Sequence, residues 1–481
     1  MSGDGRIDVK YGNELGMRNA VLSILVLLSF AVSAQHDSCV VLTRINLEGN
    51  KVTKPSVIYR ELLVKVGDTV GESHFNELMK ESRENVLNTS AFNFVDFVVE
   101  DNPDVPNGKV LTIKMVERWY VWPVPYMRYA DRNLMSWFKG GDASRMSYGF
   151  NIECRNLWGL LHKLNLTMIF GYNQKYALTY DVPYLTDKQN FGLEASIGYT
   201  RDKEVAYATL EDKVYYYKAD EGCPHEAFYV YVKPYFRFGC RNRLLLTVLY
   251  DDRMFSDTLV SLNSSLGYDG GSRFRYFTLS AVFKNDFRDD HNYPLDGHYL
   301  EIEATKIGTG VFNNEPDVFY GKFTADWYTQ IYKRLYWASN ITAKLSSNID
   351  VPYFLQKGIG YGNDYVRTLD LYVVDAMNFA VFKNNLKFAI LRSVTKSIPY
   401  INDERFGKIH LALYANLFFD FARTWNVDVA AGTMSRLANE WIFGTGVGVD
   451  FVTYYDKVLR LEYGFNGLGE SGFFIHFVAP I

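Results

Sequence analysis

The sequence predicts a mainly β protein: a transmembrane antiparallel β-barrel of about 16 strands preceded by one small α+β domain. Three observations carry this. From about Ser147 onward, segments of roughly 9–14 residues alternate apolar and polar side chains, with turn residues between them. Aromatic residues reach 16%, with 36 Tyr and 34 Phe, more than a cytosolic enzyme of this size tends to carry. After residue 35 no stretch has the run of about 18 apolar residues that marks a membrane helix, and a barrel needs none, because only alternate residues face lipid.

The N-terminus carries an address. Met17-Arg18-Asn19 is a basic start, Ala20 to Val32 is almost wholly apolar, and Val32-Ser33-Ala34 ends a small-x-small site. Residues 1–34 therefore read as a signal-peptide region, with Met17 as the expected start and Gln35 as the first mature residue. The apolar run is short for a membrane span of about 20 residues. Cys39 follows His36-Asp37-Ser38, which is not a lipid-attachment context. A net charge of −4 gives no footprint for nucleic acid. The four cysteines lack metal-ligand spacing; Cys223 and Cys240 either pair in an oxidising compartment or remain packed thiols.

Residues 39–118 form the first domain. Val40 to Leu47 alternates as a strand and ends in Glu48-Gly49-Asn50. Pro55 opens a helix with Val57, Ile58, Leu62 and Leu63 on one face, and Gly67-Asp68 stops it. Ser73 is the expected cap of a second helix bearing Phe75, Leu78, Met79, Val86 and Leu87. Strands follow at Phe92 to Val99 and Lys109 to Val116, joined by the polar turn Asp101 to Gly108. Two helices on a small sheet leave an edge strand able to take up an extended peptide.

Residues 119–146 read as a linker and 147–481 as the barrel. Strands are expected near 147–155, 162–172, 174–183, 190–202, 205–217, 226–238, 242–255, 273–286, 296–307, 318–332, 334–347, 378–391, 411–422, 441–452, 458–466 and 470–479. In Leu411 to Ala422, Tyr414, Asn416, Phe418 and Asp420 share the inner face; in Val458 to Asn466, Arg460, Glu462, Gly464 and Asn466 do. Parity makes the odd-to-even connections the outer loops, and 256–272, 348–377 and 424–440 are the long ones. Inner turns near 287–295 and 392–406 are longer than this rule expects. A propeller would repeat every 40–50 residues or so, and no such repeat is present.

No motif supports enzyme chemistry, and no cofactor is implied. Gly444-Thr445-Gly446-Val447-Gly448 lies inside an alternating strand with no helix after it, which fails the context of a dinucleotide loop; its glycines share the inner face with Asp450 and instead keep the interior open where other chain passes close. The histidines form no HExxH cluster, and Asp286, Asp289 and Asp290 lack the ligand spacing of a calcium loop.

The order strand, helix, helix, strand, strand, with Ile45-Asn46-Leu47-Glu48-Gly49-Asn50-Lys51-Val52-Thr53, Gly67-Asp68 and Ala91-Phe92-Asn93-Phe94-Val95, resembles a POTRA domain, the periplasmic module of the BamA–TamA superfamily of outer-membrane assembly and secretion proteins. Asn156-Leu157-Trp158-Gly159 resembles that superfamily's first turn, and Asp286-Phe287-Arg288-Asp289 with Tyr293-Pro294-Leu295-Asp296-Gly297 resembles its Arg-Asp…Pro-x-x-Gly turn. Tyr365-Val366-Arg367-Thr368-Leu369 resembles the Val-Arg-Gly-Tyr/Phe loop that folds back into the barrel, and Phe418-Phe419-Asp420-Phe421-Ala422 resembles the Phe-x-Asp-x-Gly wall motif. The resemblance implies that Arg367 meets Asp420 on the inner wall, with Phe418, Tyr365 and Val366 around it. Thr368 and Ala422 replace family glycines, Asn385 stands where a glutamate is usual, and Ala479-Pro480-Ile481 lacks a terminal aromatic. A single POTRA unit is visible where barrel assemblers carry several. The implied function is assistance to protein insertion or translocation at the bacterial outer membrane, with the POTRA domain in the periplasm. The implied partners are outer-membrane lipid and an unfolded client or chaperone at the POTRA edge strand. The alternatives are a passive pore or structural barrel, and a secretion port for one partner.

Overall fold

The computed structural model describes residues 39–129, 146–186, 188–266, 271–397, 408–427, 435–453 and 457–478. The expected signal peptide and the C-terminal Ala479-Pro480-Ile481 lie outside the described residues, as do parts of the expected linker and of the connections 392–406 and 424–440.

The first domain is built from β1 (Cys39–Glu48), α1 (Pro55–Glu61), β2 (Thr69–Gly71), α2 (Glu72–Asn88), β3 (Phe92–Asp101) and β4 (Gly108–Glu117). Its sheet runs β2-β1-β4-β3, with β1 and β4 parallel, so β3 is an edge. Val57 and Ile58 of α1, with Phe75, Met79 and Val86 of α2, bury against Leu42, Phe92, Leu111 and Ile113 of the sheet. Ser73 does not cap α2: β2 runs straight into the helix, the extended Gly71 takes the N-cap position, and Ser73 falls in the first turn. Leu63 stays partly exposed because α1 ends at Glu61.

The barrel sheet takes up β5 (Val121–Tyr129), β6 (Met146–Leu157), β7 (His162–Gly171), β8 (Gln174–Val182), β9 (Phe191–Asp202), β12 (His225–Phe238), β13 (Asn242–Phe255), β14 (Arg273–Asp286), β15 (Gly297–Ile307) and β16 (Val318–Tyr332). It continues through β17 (Leu335–Ser346), β18 (Phe379–Ser397), β19 (Lys408–Thr424), β20 (Trp441–Val452), β21 (Val458–Asn466) and β22 (Ser471–Val478). These are 16 antiparallel strands in unbroken sequence order, with one hairpin set aside. Along β19, Leu417 and Phe419 are exposed on the outer wall while Asn416, Phe418 and Asp420 are buried inside, as alternation requires.

The expected strand number is met, yet two assignments within it are corrected. The range 119–146 is not only a linker: Val121–Tyr129 pairs with β6 as the first barrel strand. Its two prolines and nine residues hide it from an alternation scan. The range 205–217 is not a barrel strand but a separate hairpin, β10 (Glu204–Leu210) and β11 (Lys213–Lys218), in a two-stranded sheet. Glu211 and Asp212, both at positive φ, make its two-residue turn. One missed strand and one extra strand cancel, so numbering from β12 onward is as expected and the long connections keep their side. For β6 to β9 parity reverses: the turns near 173 and 203 belong to the loop end, and 158–161 to the domain end.

The domain's contacts agree with that parity. Lys54 N–H donates to Gly159 O at 2.9 Å, Asn156 Nδ2 donates to Thr53 Oγ1 at 2.9 Å, and Leu161 completes the domain core. A Cβ at Gly159, where φ is +70°, would fall 2.1 Å from Val52 O, so this turn admits only glycine. Asn88 donates to Asp289 O in the 287–296 turn. That turn is long because it is structured: Asp289 Oδ1 accepts the N–H groups of Asp290, Leu295 and Asp296. Cys223 and Cys240 are free thiols beyond opposite ends of β12, whose 14 residues at about 3.3 Å each span roughly 45 Å, far beyond disulfide reach.

Candidate functional site in the lumen

The connection between β17 and β18, residues 347–378, folds into the barrel rather than away from it. Val366, Leu369, Tyr372 and Val374 pack with Phe379, Val381, Ala422 and Ile442 of the wall. Arg367 is 2% exposed and Asp420 is wholly buried. Arg367 Nε donates to Asp420 Oδ2 at 2.7 Å, Nη2 donates to Oδ1 at 2.5 Å, and the backbone N–H of Arg367 donates to Oδ2 at 3.1 Å. Nη2 also reaches Asn384 O at 3.0 Å. The guanidinium lies 4.3 Å from the centroid of the Phe418 ring, within range of a cation–π contact. Two parallel N–H···O bonds plus a stacked face are what the planar fork of arginine supplies and lysine cannot.

The structure thus brings together four of the five residues singled out from sequence: Arg367, Asp420, Phe418 and Val366. Tyr365 is in the same loop but serves a different partner, Lys383, whose Nζ lies 4.0 Å from its ring centroid. Thr368, standing where the superfamily has glycine, adopts φ +76°. For a β-branched residue this is strained, and it is held by Oγ1 donating to Phe465 O at 3.3 Å and by Asn466 Nδ2 donating to Thr368 O at 3.2 Å. The wall gives way to the loop through glycines. A Cβ on Gly444 would sit 2.2 Å from Arg367 O, and one on Gly464 would sit 2.5 Å from Thr368 Cγ2. That is the open interior expected of the Gly444–Gly448 run.

A second ion pair lies beside the first, and sequence reasoning did not single it out. Arg460 Nε donates to Asp450 Oδ1 at 2.8 Å; Asp450 also accepts from Tyr293 Oη at 2.8 Å and Asn416 Nδ2 at 2.9 Å. Glu462 links the two, 3.6 Å from Arg367 Nη1 and 3.9 Å from Arg460 Nε. Alternation had placed Arg460, Glu462 and Asp450 on the inner face, so the signal was present. What was missing was their partner Tyr293, which arrives from the long inner turn. Asn385 is buried on the lumen face, and neither side-chain polar atom of it finds a hydrogen-bond partner.

The far mouth is also covered. Asp212, at the tip of the β10–β11 hairpin, accepts Arg436 N–H at 2.8 Å through its side chain and Val373 N–H at 2.8 Å through its carbonyl. The hairpin leaves the sheet between β9 and β12 and reaches loops that leave it after β17 and β19.

No family model matches this chain, and no curated protein matches it. Solved structures do. CdiB from Escherichia coli aligns over 91% of this chain and 75% of its own, at 12% identity and a TM-score of 0.50. BamA from Haemophilus ducreyi lacking POTRA domains 1–3 aligns over 91% and 83%, at 14% identity and a TM-score of 0.48. CdiB from Acinetobacter baumannii aligns over 91% and 73%, at 12% identity and a TM-score of 0.46. At such identities the likeness speaks for the fold, and the chain has the fold of CdiB from Escherichia coli, the barrel architecture to which its BamA–TamA-like motifs pointed.

Proposed function

We propose that this chain is a non-catalytic outer-membrane barrel that assists the insertion or translocation of other proteins, with its α+β domain acting as a periplasmic POTRA unit. One observation carries the reading: the lumen is obstructed by the chain's own segments. A loop is fixed inside it by the buried Arg367–Asp420 pair, the α+β domain covers one end, and the β10–β11 hairpin crosses the other. A diffusion pore keeps a water-filled channel, whereas a lumen plugged by the chain's own loop passes a large cargo only if that loop moves. The likeness in fold to CdiB and the superfamily motifs around Arg367 support the same reading. Lipid meets the apolar outer wall, and an extended client or chaperone segment meets the exposed edge at β3. Depletion of the protein followed by an inventory of outer-membrane and released proteins tests it. Loss of one or more integral or surface proteins is expected, and an unchanged inventory with altered solute uptake would favour the passive pore.

Orientation has its own test. A cysteine placed within 256–266 or 435–440 is expected to react with an impermeant maleimide on intact cells. One within 101–108 is expected to react only after the outer membrane is breached. The opposite pattern would invert the barrel.

A further inference from the structure

A cavity of about 540 Å³ lies at the domain end of the barrel, between the α+β domain and the wall. Asn85 and Ser90 border it on the domain side, while Arg237, Arg243 and Lys284 face it from three neighbouring strands. Among the described residues, seven lysines and arginines line it against four carboxylates. Six of those cations have a carboxylate within 3.9 Å. The carboxylates that serve Lys284 and Arg241, however, are Glu301, Glu81 and Glu84, which stand behind the lining. The surface that an occupant meets is therefore cationic.

Arg243 is the seventh cation. Among the described residues no carboxylate lies within ion-pair distance of it, and its side chain is exposed to this space. Its setting makes that costly. Arg237 of β12 pairs in register with Arg243 of β13, and Arg243 with Lys284 of β14, so three cations stand side by side on one row facing the lumen. Opposed residues on antiparallel strands lie about 4.5–5.5 Å apart at Cα, and like charges so placed are destabilising. Arg237 is neutralised by Glu61 at 2.5 Å and Lys284 by Glu301 at 2.7 Å. The middle member of the row has no such partner, and an anion in the cavity would supply one.

We propose that this cavity binds a soluble phosphate compound, with Arg243 as its principal anchor and Arg237 and Lys284 flanking it. The guanidinium fork matches two phosphate oxygens at once. A phosphate dianion keeps further oxygens for the neighbours in the row, and a carboxylate engaged by one fork does not. The volume falls in the range of about 300–1,000 Å³ usual for small-molecule sites, so a phosphate ester has room as well as free phosphate. The lining faces the lumen, whereas the apolar outer wall meets lipid, so the ligand arrives from solution.

The full chain in phosphatidylcholine nanodiscs tests this, with inorganic phosphate and pyrophosphate as probes and acetate at equal ionic strength as reference. Phosphate is expected to raise the unfolding temperature of the parent saturably and to show a broadened phosphorus NMR line in its presence; acetate is expected to do much less. Arg243→Gln is expected to weaken phosphate binding about tenfold or more through loss of one charge-assisted anchor. In phosphate-free buffer the same variant is expected to unfold no lower than the parent, because the repulsive row is relieved. Lys175→Gln, which removes an exposed cation of β8 outside the cavity, is expected to leave phosphate binding unchanged. A phosphate response that acetate matches, that does not saturate, or that Arg243→Gln leaves intact would overturn the site, as would no response at all. An Arg243→Gln protein that unfolds well below the parent without phosphate would make Arg243 a structural residue. A response lost when phosphatidylglycerol replaces phosphatidylcholine would assign the anchor to a lipid headgroup and overturn the soluble ligand.

Discussion

Arg367→Ala is expected to lower the temperature at which the barrel unfolds on heat-modifiability gels more than any other single side-chain truncation in the lumen. The substitution leaves Asp420 and Glu462 buried with their shared cation gone, and removing one member of a buried pair costs about 3–5 kcal/mol. Asp420→Ala is expected to cost somewhat less, because Arg367 keeps Asn384 O and has Glu462 at 3.6 Å to turn to. The double variant should be little worse than Arg367→Ala alone, since Asp420 is then no longer stranded and Glu462 keeps only Arg460, at 3.9 Å, as in the single variant; fully additive losses would mean that the two residues do not interact. Arg367→Lys separates charge from geometry. It keeps the cation but loses the bidentate fork and the flat contact with Phe418, so an intermediate loss is expected. If Arg367→Lys were as stable as the parent, the specificity of the loop for arginine would have to be explained by something other than fold stability.

The pair was legible because two independent signals met on it: strand alternation placed Asp420 inside, and a loop motif placed Arg367 within reach. The same alternation placed Arg460, Glu462 and Asp450 inside, but alternation gives a face and not a partner, so the second ion pair waited for the three-dimensional path of Tyr293. The strand register from β12 to β22 was legible for the reason that barrels are: each strand has one lipid face and one lumen face, and a slip of one residue would exchange them. The first strand was not, because Pro123 and Pro125 interrupt its β-formers Val121, Trp122, Val124 and Tyr126 at alternate positions, and a strand paired on one side only tolerates that. The β10–β11 hairpin alternates as well as any barrel strand does. Only its Glu211-Asp212 turn separates it from one continuous strand of 13 residues or so, and with neither Asn nor Gly those two residues lack the usual signal of a two-residue hairpin. The clasp between domain and barrel left no local trace at all, since its partners are 176 residues apart.

That clasp is where the second large effect is expected. Glu61, the last residue of α1, is 2% exposed and accepts two bonds from Arg237 of β12, Nη1 to Oε1 at 2.8 Å and Nη2 to Oε2 at 2.5 Å. Arg60 joins from the same helix, donating through Nε to Glu61 Oε1 at 2.9 Å while its guanidinium stacks 3.4 Å over the ring of Tyr184 in an inner turn. Arg241 adds longer-range pairs to Glu81 and Glu84 of α2. Glu61→Ala leaves two arginines facing each other in a buried site, at a cost of about 3–5 kcal/mol. The α+β domain is expected to release from the barrel mouth, read as a joint rise in hydrogen exchange over residues 52–62 and 156–161 while β3 and β4 stay protected. Protection lost throughout the domain would instead mean that Glu61 serves its folding and not its docking. Acid should imitate the substitution. Burial alone would raise the Glu61 carboxyl, but Arg237 and Arg60 outweigh it and hold it below its usual 4.5. A carboxylate lowered in the native state contributes its full stabilisation above its ordinary range and loses it as pH falls through the lowered native value. Docking is therefore expected to be flat with pH around neutrality and to loosen only in acid below the ordinary carboxylate range. In Glu61→Gln that acid step should vanish, with the domain already loosened at neutral pH.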